Sequence, residues 1–80
     1  MKVEVRLFAT LTLFLPQASH DGTVTLDVPT DSTVHDVLEH LGVPAEVERV
    51  ALINGGDATP DRTLRPGDVL IVFPPLAGGN

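Results

Sequence analysis

The sequence predicts an α+β domain in which one main helix packs on one face of a mixed sheet of four to five strands. Three observations carry that expectation. Two stretches near the start alternate between apolar and polar residues, a middle stretch repeats apolar residues at helical spacing, and a late stretch is a continuous apolar run. With 80 residues there is room for one small domain. Chains of this size bury only about 60% of their unfolded surface, so the expected stability is a few kcal/mol.

From Lys2 to Leu7, Val3, Val5 and Leu7 alternate with Lys2, Glu4 and Arg6, the period of a strand with one buried face. Leu11 to Leu15 then reads as a loop that folds back and partly packs its leucines and Phe14, broken by Pro16 and the polar run Gln17 to Gly22. Val24, Leu26 and Val28 alternate with Thr23, Thr25 and Asp27, so strand, loop and strand imply an antiparallel pair. Pro29 ends the strand. Val34, Val37, Leu38 and Leu41 then fall at i, i+3, i+4 and i+7, the stripe of an amphipathic helix. Thr33 with Asp36 resembles a capping box, Gly42 is a natural C-terminal stop, and Pro44 prevents continuation. The valines make this a weak helix in isolation, so packing on a sheet must hold it.

Val50 to Ile53 reads as a strand closed by the turn Asn54-Gly55-Gly56-Asp57. Thr59 to Leu64 reads as an irregular connection or a very short strand, and Arg65-Pro66-Gly67-Asp68 places Pro and Gly as a type II turn needs them. Val69 to Phe73, five apolar residues in a row, suits an interior strand. A single helix cannot bury itself and should lie across one sheet face. With the first and last strands parallel at the centre, this order is the β-grasp arrangement of ubiquitin-like proteins. The expected division is a domain over residues 1–73 and a flexible tail over residues 74–80.

The composition narrows the function. Five Lys and Arg stand against 11 Asp and Glu, a formal charge of −6 with a pI near 4.6. Phosphate binding draws on clustered cations, so nucleic acid is not an expected partner. A 42% hydrophobic content is too high for a disordered acidic tail. The absence of Cys removes disulfides, thiolate metal sites and a thiol nucleophile. The charges in Met1 to Arg6 do not suit a signal peptide, and no apolar stretch approaches the ~20 residues of a membrane span, so a cytoplasmic protein is expected.

Side chains offer little chemistry. His35 and His40 are five residues apart, about 140° around a helix axis, and do not face each other. They and His20 read as solvated histidines, with no metal site expected. Asp36 and Glu39 share a helix face of the kind that serves solubility. Ser19 and Ser32 have no base nearby in sequence. The chain is not expected to be an enzyme on its own.

The informative segment is the end, Phe73-Pro74-Pro75-Leu76-Ala77-Gly78-Gly79-Asn80. Two prolines exclude helix and favour an extended stem, and Pro74 to Gly79 at about 3.1 Å per residue reach roughly 19 Å beyond the fold. Small residues also occur in ordinary frayed termini, and Gly55-Gly56 in this chain reads only as a turn. The conjunction is what matters: an acidic β-grasp pattern, a Pro-Pro stem and a tip without side chains.

In these features the sequence resembles the sulfur-carrier proteins of the β-grasp superfamily, the small subunit of molybdopterin synthase and the thiamine-biosynthesis sulfur carrier. The resemblance spans nearly the whole chain. It rests on Val5-Arg6-Leu7-Phe8-Ala9, Thr33-Val34, Leu52-Ile53-Asn54-Gly55, Leu64-Arg65-Pro66-Gly67-Asp68-Val69 and the Phe-Pro-Pro-x-Ala-Gly-Gly ending, which favours the molybdopterin branch. Asn80 departs from the pattern, because family members ready to work end at the second glycine.

The resemblance implies that a ubiquitin-activating-like adenylyltransferase uses ATP to join the Gly79 carboxylate to AMP, and that a persulfide sulfur then displaces AMP to leave a thiocarboxylate. No cofactor is bound by the carrier itself. Gly78 and Gly79 fit a narrow channel that side chains would block, and a protease must first remove Asn80. The large subunit of molybdopterin synthase, or another sulfur-accepting enzyme, is the implied second partner. Alternation places Phe8 and Phe73 on the open sheet face, which with Pro74, Pro75, Leu76 and Ala77 forms the expected partner surface; the rival expectation is that the Leu11 to Leu15 loop covers Phe8. Rival functions are a carrier for thiamine or another metabolite, a ubiquitin-like protein modifier attached through Gly79, and a non-covalent interaction domain.

Overall fold

In the computed structural model, which describes residues 1–17 and 19–75, a five-stranded sheet carries one α-helix across one face. The strands are β1 (Lys2–Leu7), β2 (Thr23–Asp27), β3 (Val50–Ile53), β4 (Gly56–Asp57) and β5 (Val69–Phe73), and the helix is α1 (Val34–Leu41). Their order across the sheet is β2-β1-β5-β3-β4. β1 and β5 pair in parallel at the centre, Glu4 against Val69 through Leu7 against Val72. β2 pairs antiparallel with β1, and β3 antiparallel with both β5 and β4.

Alternation decides which side chains meet the helix. Val3, Val5 and Leu7 of β1, Val24 of β2, Ile53 of β3, and Leu70 and Val72 of β5 are buried, together with Val34, Val37 and Leu38 of α1. Leu41, the last member of the helical stripe, is only half-buried. The helix is capped as its sequence requires. The Thr33 hydroxyl accepts from the Asp36 N–H at 3.1 Å, and the Asp36 carboxylate accepts from the Thr33 N–H at 3.0 Å. Gly42 ends the helix at φ 87°, a left-handed conformation that costs glycine nothing.

The segment after β1 differs from the expected loop. Ala9–Phe14 forms a short 3-10 helix, in which Leu11 is buried, Phe14 and Leu15 are partly buried, and Leu13 is 83% exposed. The Asn54 to Asp57 turn also needs correction, because Gly56 and Asp57 pair back onto Ile53 and Leu52 as β4. The connection to β5 is irregular, with one bridge between Thr33 and Thr63. It fastens the helix start: Val34 N–H donates to the Arg62 carbonyl at 3.0 Å, and Leu64 N–H to the Ser32 carbonyl at 2.8 Å.

Two of the motifs that carry the resemblance serve each other here. Asn54, at φ 51°, accepts from the Val69 N–H at 2.9 Å and donates to the Asp68 carboxylate at 3.0 Å. Asp68 also accepts from the Arg65 N–H at 2.8 Å, closing the Pro66-Gly67 turn. The Ile-Asn-Gly and Arg-Pro-Gly-Asp segments are thus one hydrogen-bonded lock that fixes where β5 begins.

Candidate functional site: the open sheet face and the root of the tail

Fixing the start of β5 fixes its end. The strand lies between β1 and β3 and delivers the chain to Pro74 and Pro75 at the edge of the sheet's open face. Phe8 N–H donates to the Val72 carbonyl at 3.1 Å, so β1 stays beside β5 up to the root of the tail. Phe73 and Pro74 are half-buried and Pro75 is exposed. Leu76, Ala77, Gly78, Gly79 and Asn80 lie outside the described residues.

The open face is divided. On β1 and β2 it carries Lys2, Glu4 and Arg6 opposite Asp27, Thr25 and Thr23. On β5 and β3 it carries Val69, Ile71 and Phe73, with Leu52 opposite Ile71 and Val50 opposite Phe73. These five apolar side chains are all half-buried, on a face that no helix covers. Phe8 stands at their end, 48% exposed; the 3-10 helix leaves the ring uncovered, which excludes the rival expectation for that residue. Phe8 and Leu13 are the two exposed large hydrophobic residues among those described, and Phe8 lies beside the end of β5 from which the tail departs.

Sequence reasoning found the two aromatics but missed Val50, Leu52, Val69, Ile71 and Leu13. A signal was present. A fold with one helix covers one sheet face, so apolar residues at both faces of β3 and β5 leave one set without a partner.

The other candidates remain dispersed. His20, His35 and His40 are exposed, and among the described residues no group of His, Asp or Glu is placed to hold a metal ion. Ser32 is buried and its hydroxyl donates to the Pro29 carbonyl at 2.7 Å, a local turn bond. No described helix is long and apolar enough to cross a membrane. What this surface offers is contact area beside an outgoing chain end.

Fold and surface together define a ubiquitin-like β-grasp protein. The sequence model of the Mut7-C ubiquitin family matches residues 1–78, and the chain belongs to that family. No curated protein is similar enough to count as a match. Among solved structures, SAMP1 of Haloferax volcanii is 31% identical with a TM-score of 0.74, over 99% of this chain and 100% of that one. A structure described as H. volcanii small archaeal modifier protein 1 is 29% identical with a TM-score of 0.73, over 94% and 98%. A Pyrococcus furiosus protein described as molybdopterin converting factor subunit 1 is 26% identical with a TM-score of 0.72, over 94% and 98%. The chain is therefore similar to ubiquitin-like proteins of the sulfur-carrier and modifier group.

Proposed function

We propose that this protein is a sulfur carrier whose terminal Gly79 is adenylated and converted to a thiocarboxylate, and that it serves molybdopterin biosynthesis as the small subunit of molybdopterin synthase. The observation that carries the reading is the Phe73-Pro74-Pro75 stem leaving the central strand beside an uncovered apolar stripe, followed in sequence by Leu76-Ala77-Gly78-Gly79. Similarity to the P. furiosus protein supports the molybdopterin branch.

The chemistry follows from the carboxylate. Its oxygen attacks the α-phosphate of ATP on the activating enzyme, releasing pyrophosphate and making AMP the leaving group. A persulfide sulfur then attacks the carbonyl carbon; a C–S bond forms, the C–O bond breaks and AMP departs. A second thiol then attacks the inner sulfur of this acyl disulfide, forms a disulfide with the cysteine that carried the persulfide, and leaves the outer sulfur on Gly79 as the thiocarboxylate. Any residue after Gly79, here Asn80, has to be removed by a protease first, because an amide carbonyl is not a substrate for adenylation. Val69, Ile71, Phe73, Leu52 and Phe8 dock on the activating enzyme, and the net negative charge favours a basic margin on that partner.

The test is reconstitution. The thiocarboxylated chain is mixed with the large subunit of molybdopterin synthase and the sulfur-free pterin precursor. Formation of the pterin dithiolene supports the reading, and an unchanged precursor in the presence of a bound large subunit contradicts the pathway. A second reading, a protein modifier joined through Gly79 to lysines of targets, is favoured by the 31% identity to SAMP1. Trypsin cuts after Arg62 but not between Arg65 and Pro66, so modified targets would carry Thr63–Gly79 on lysine.

A further inference from the structure

Of the five cationic residues in the chain, four are arginines: Arg6, Arg49, Arg62 and Arg65. Lys2 is the one lysine. A guanidinium remains protonated and does not act as an acyl acceptor. A protein that carries an activated acyl group at one end therefore presents almost no amine that another copy could attack with. We propose that Lys2 is the acceptor through which a second copy of this chain is joined, so that conjugation of the protein to itself is confined to unbranched, Lys2-linked chains. The proposal rests on the activation of Gly79 given above and concerns what happens when an amine, rather than sulfur, meets the activated group.

Three features of the fold place Lys2 for this role. It is the first residue of β1, and its carbonyl accepts from the Gly67 N–H at 2.8 Å, so its backbone is held while its side chain is exposed. Among the described residues its ammonium makes no ion pair; the carboxylate opposite it, Asp27, is taken by the amino group of Met1 at 3.3 Å. That amino group also donates to the Val28 carbonyl at 2.7 Å and is held in the end of the β1–β2 ladder, which leaves Lys2 as the available amine.

The third feature is direction. β1 and β5 are parallel, and Lys2 lies beside Gly67, six residues before the end of β5 at Phe73. At about 3.3 Å per residue the tail departs roughly 20 Å from Lys2. The six residues from Pro74 to Gly79 span at most about 20 Å when fully extended. A copy would meet its own Lys2 only with the whole tail laid straight back along the sheet, so the proposed reaction is between copies. The free amine of Lys2 attacks the carbonyl carbon of the Gly79 adenylate on another copy. A C–N bond forms, the C–O bond to AMP breaks, AMP leaves, and the amine proton passes to solvent. Each link uses one copy's single lysine and the next copy's tail, at opposite ends of the domain.

The experiment uses the chain ending at Gly79, its activating enzyme and ATP, without a sulfur donor, in parallel with Lys2→Arg and Lys2→Gln variants whose fold is checked by circular dichroism. Hydroxylamine in a separate arm traps the adenylate as a hydroxamate and reads activation alone. The expected result is equal hydroxamate for all three chains, a covalent dimer for the parent chain, and loss of that dimer in both variants. The parent dimer should yield the tryptic peptide Met1–Arg6 carrying Thr63–Gly79 on Lys2. Hydroxamate without any parent dimer overturns the Lys2 proposal and leaves the activation intact. A dimer that persists in the variants, or a cyclised monomer, overturns it as well. Absence of hydroxamate overturns the activation itself, and the Lys2 proposal with it.

Discussion

Asp36 shows how a single side chain joins sequence to stability. Its carboxyl is held below the usual carboxylate range, first by the backbone N–H of Thr33 and then by the Thr33 hydroxyl. A carboxyl whose folded pKa is depressed contributes stability that is present above its unfolded pKa, near 3.8, and is lost as pH falls through the folded value. The parent should therefore melt above Asp36→Asn at neutral pH, and the two melting curves should converge in acid below the carboxylate range. A difference that stays constant with pH would show that the cap does not depend on the charge. Asn54 is the other decisive residue. Asn54→Gly keeps the left-handed turn open to the backbone but removes the bonds to Val69 and Asp68, and should cost about 1–3 kcal/mol in urea unfolding. A smaller loss would mean that the turn is held without the lock between the two motifs.

The elements divide into those whose period shows one buried face and those whose pairing is set by partners far away in sequence. β1, β2 and α1 were legible because Val3, Val5 and Leu7, then Val24 and Leu26, then Val34, Val37 and Leu38 repeat at periods that belong to only one kind of element. β4 was not, since Gly56 and Asp57 have no pattern of their own and pair only because Asn54 turns the chain back on β3. The 3-10 helix was missed for a similar reason. Leu11 and Phe14, three residues apart, pack inward while Leu13 points outward, a spacing too short to separate a tight helix from a folded loop. The positions of Phe8 and Phe73 could be reasoned from alternation; the stripe joining them needed the β3–β5 register. Phe8→Asp or Phe73→Asp should weaken binding to the activating enzyme by about 2 kcal/mol, as truncation of a central interface aromatic does. Leu38→Ala provides the contrast, because that side chain is fully buried and its truncation should cost about 2–5 kcal/mol of stability. Titration calorimetry beside thermal melts separates the two effects. Phe variants that lose as much stability as Leu38→Ala would place the rings in the core.

On the scale of the whole molecule, the domain sets the root of the tail, Phe73 to Pro75, beside an uncovered apolar surface, and under the proposed function the chemistry belongs to its partners. The parallel β1–β5 pair, the lock at Asn54 and Asp68, and the helix across the back all serve to fix the strand from which the tail emerges. Gly79→Ala should therefore leave the thermal melt unchanged while greatly reducing sulfur loading, since a glycine has no side chain to lend to the core. The most direct measurement of the central claim is the intact mass of the chain ending at Gly79 after incubation with ATP, the activating enzyme and a sulfur donor. The expected result is a mass increase equal to one oxygen replaced by sulfur, dependent on ATP and located in the peptide that ends at Gly79. An unchanged mass, with the activating enzyme shown to bind the chain, would contradict it and leave a non-covalent interaction domain in its place.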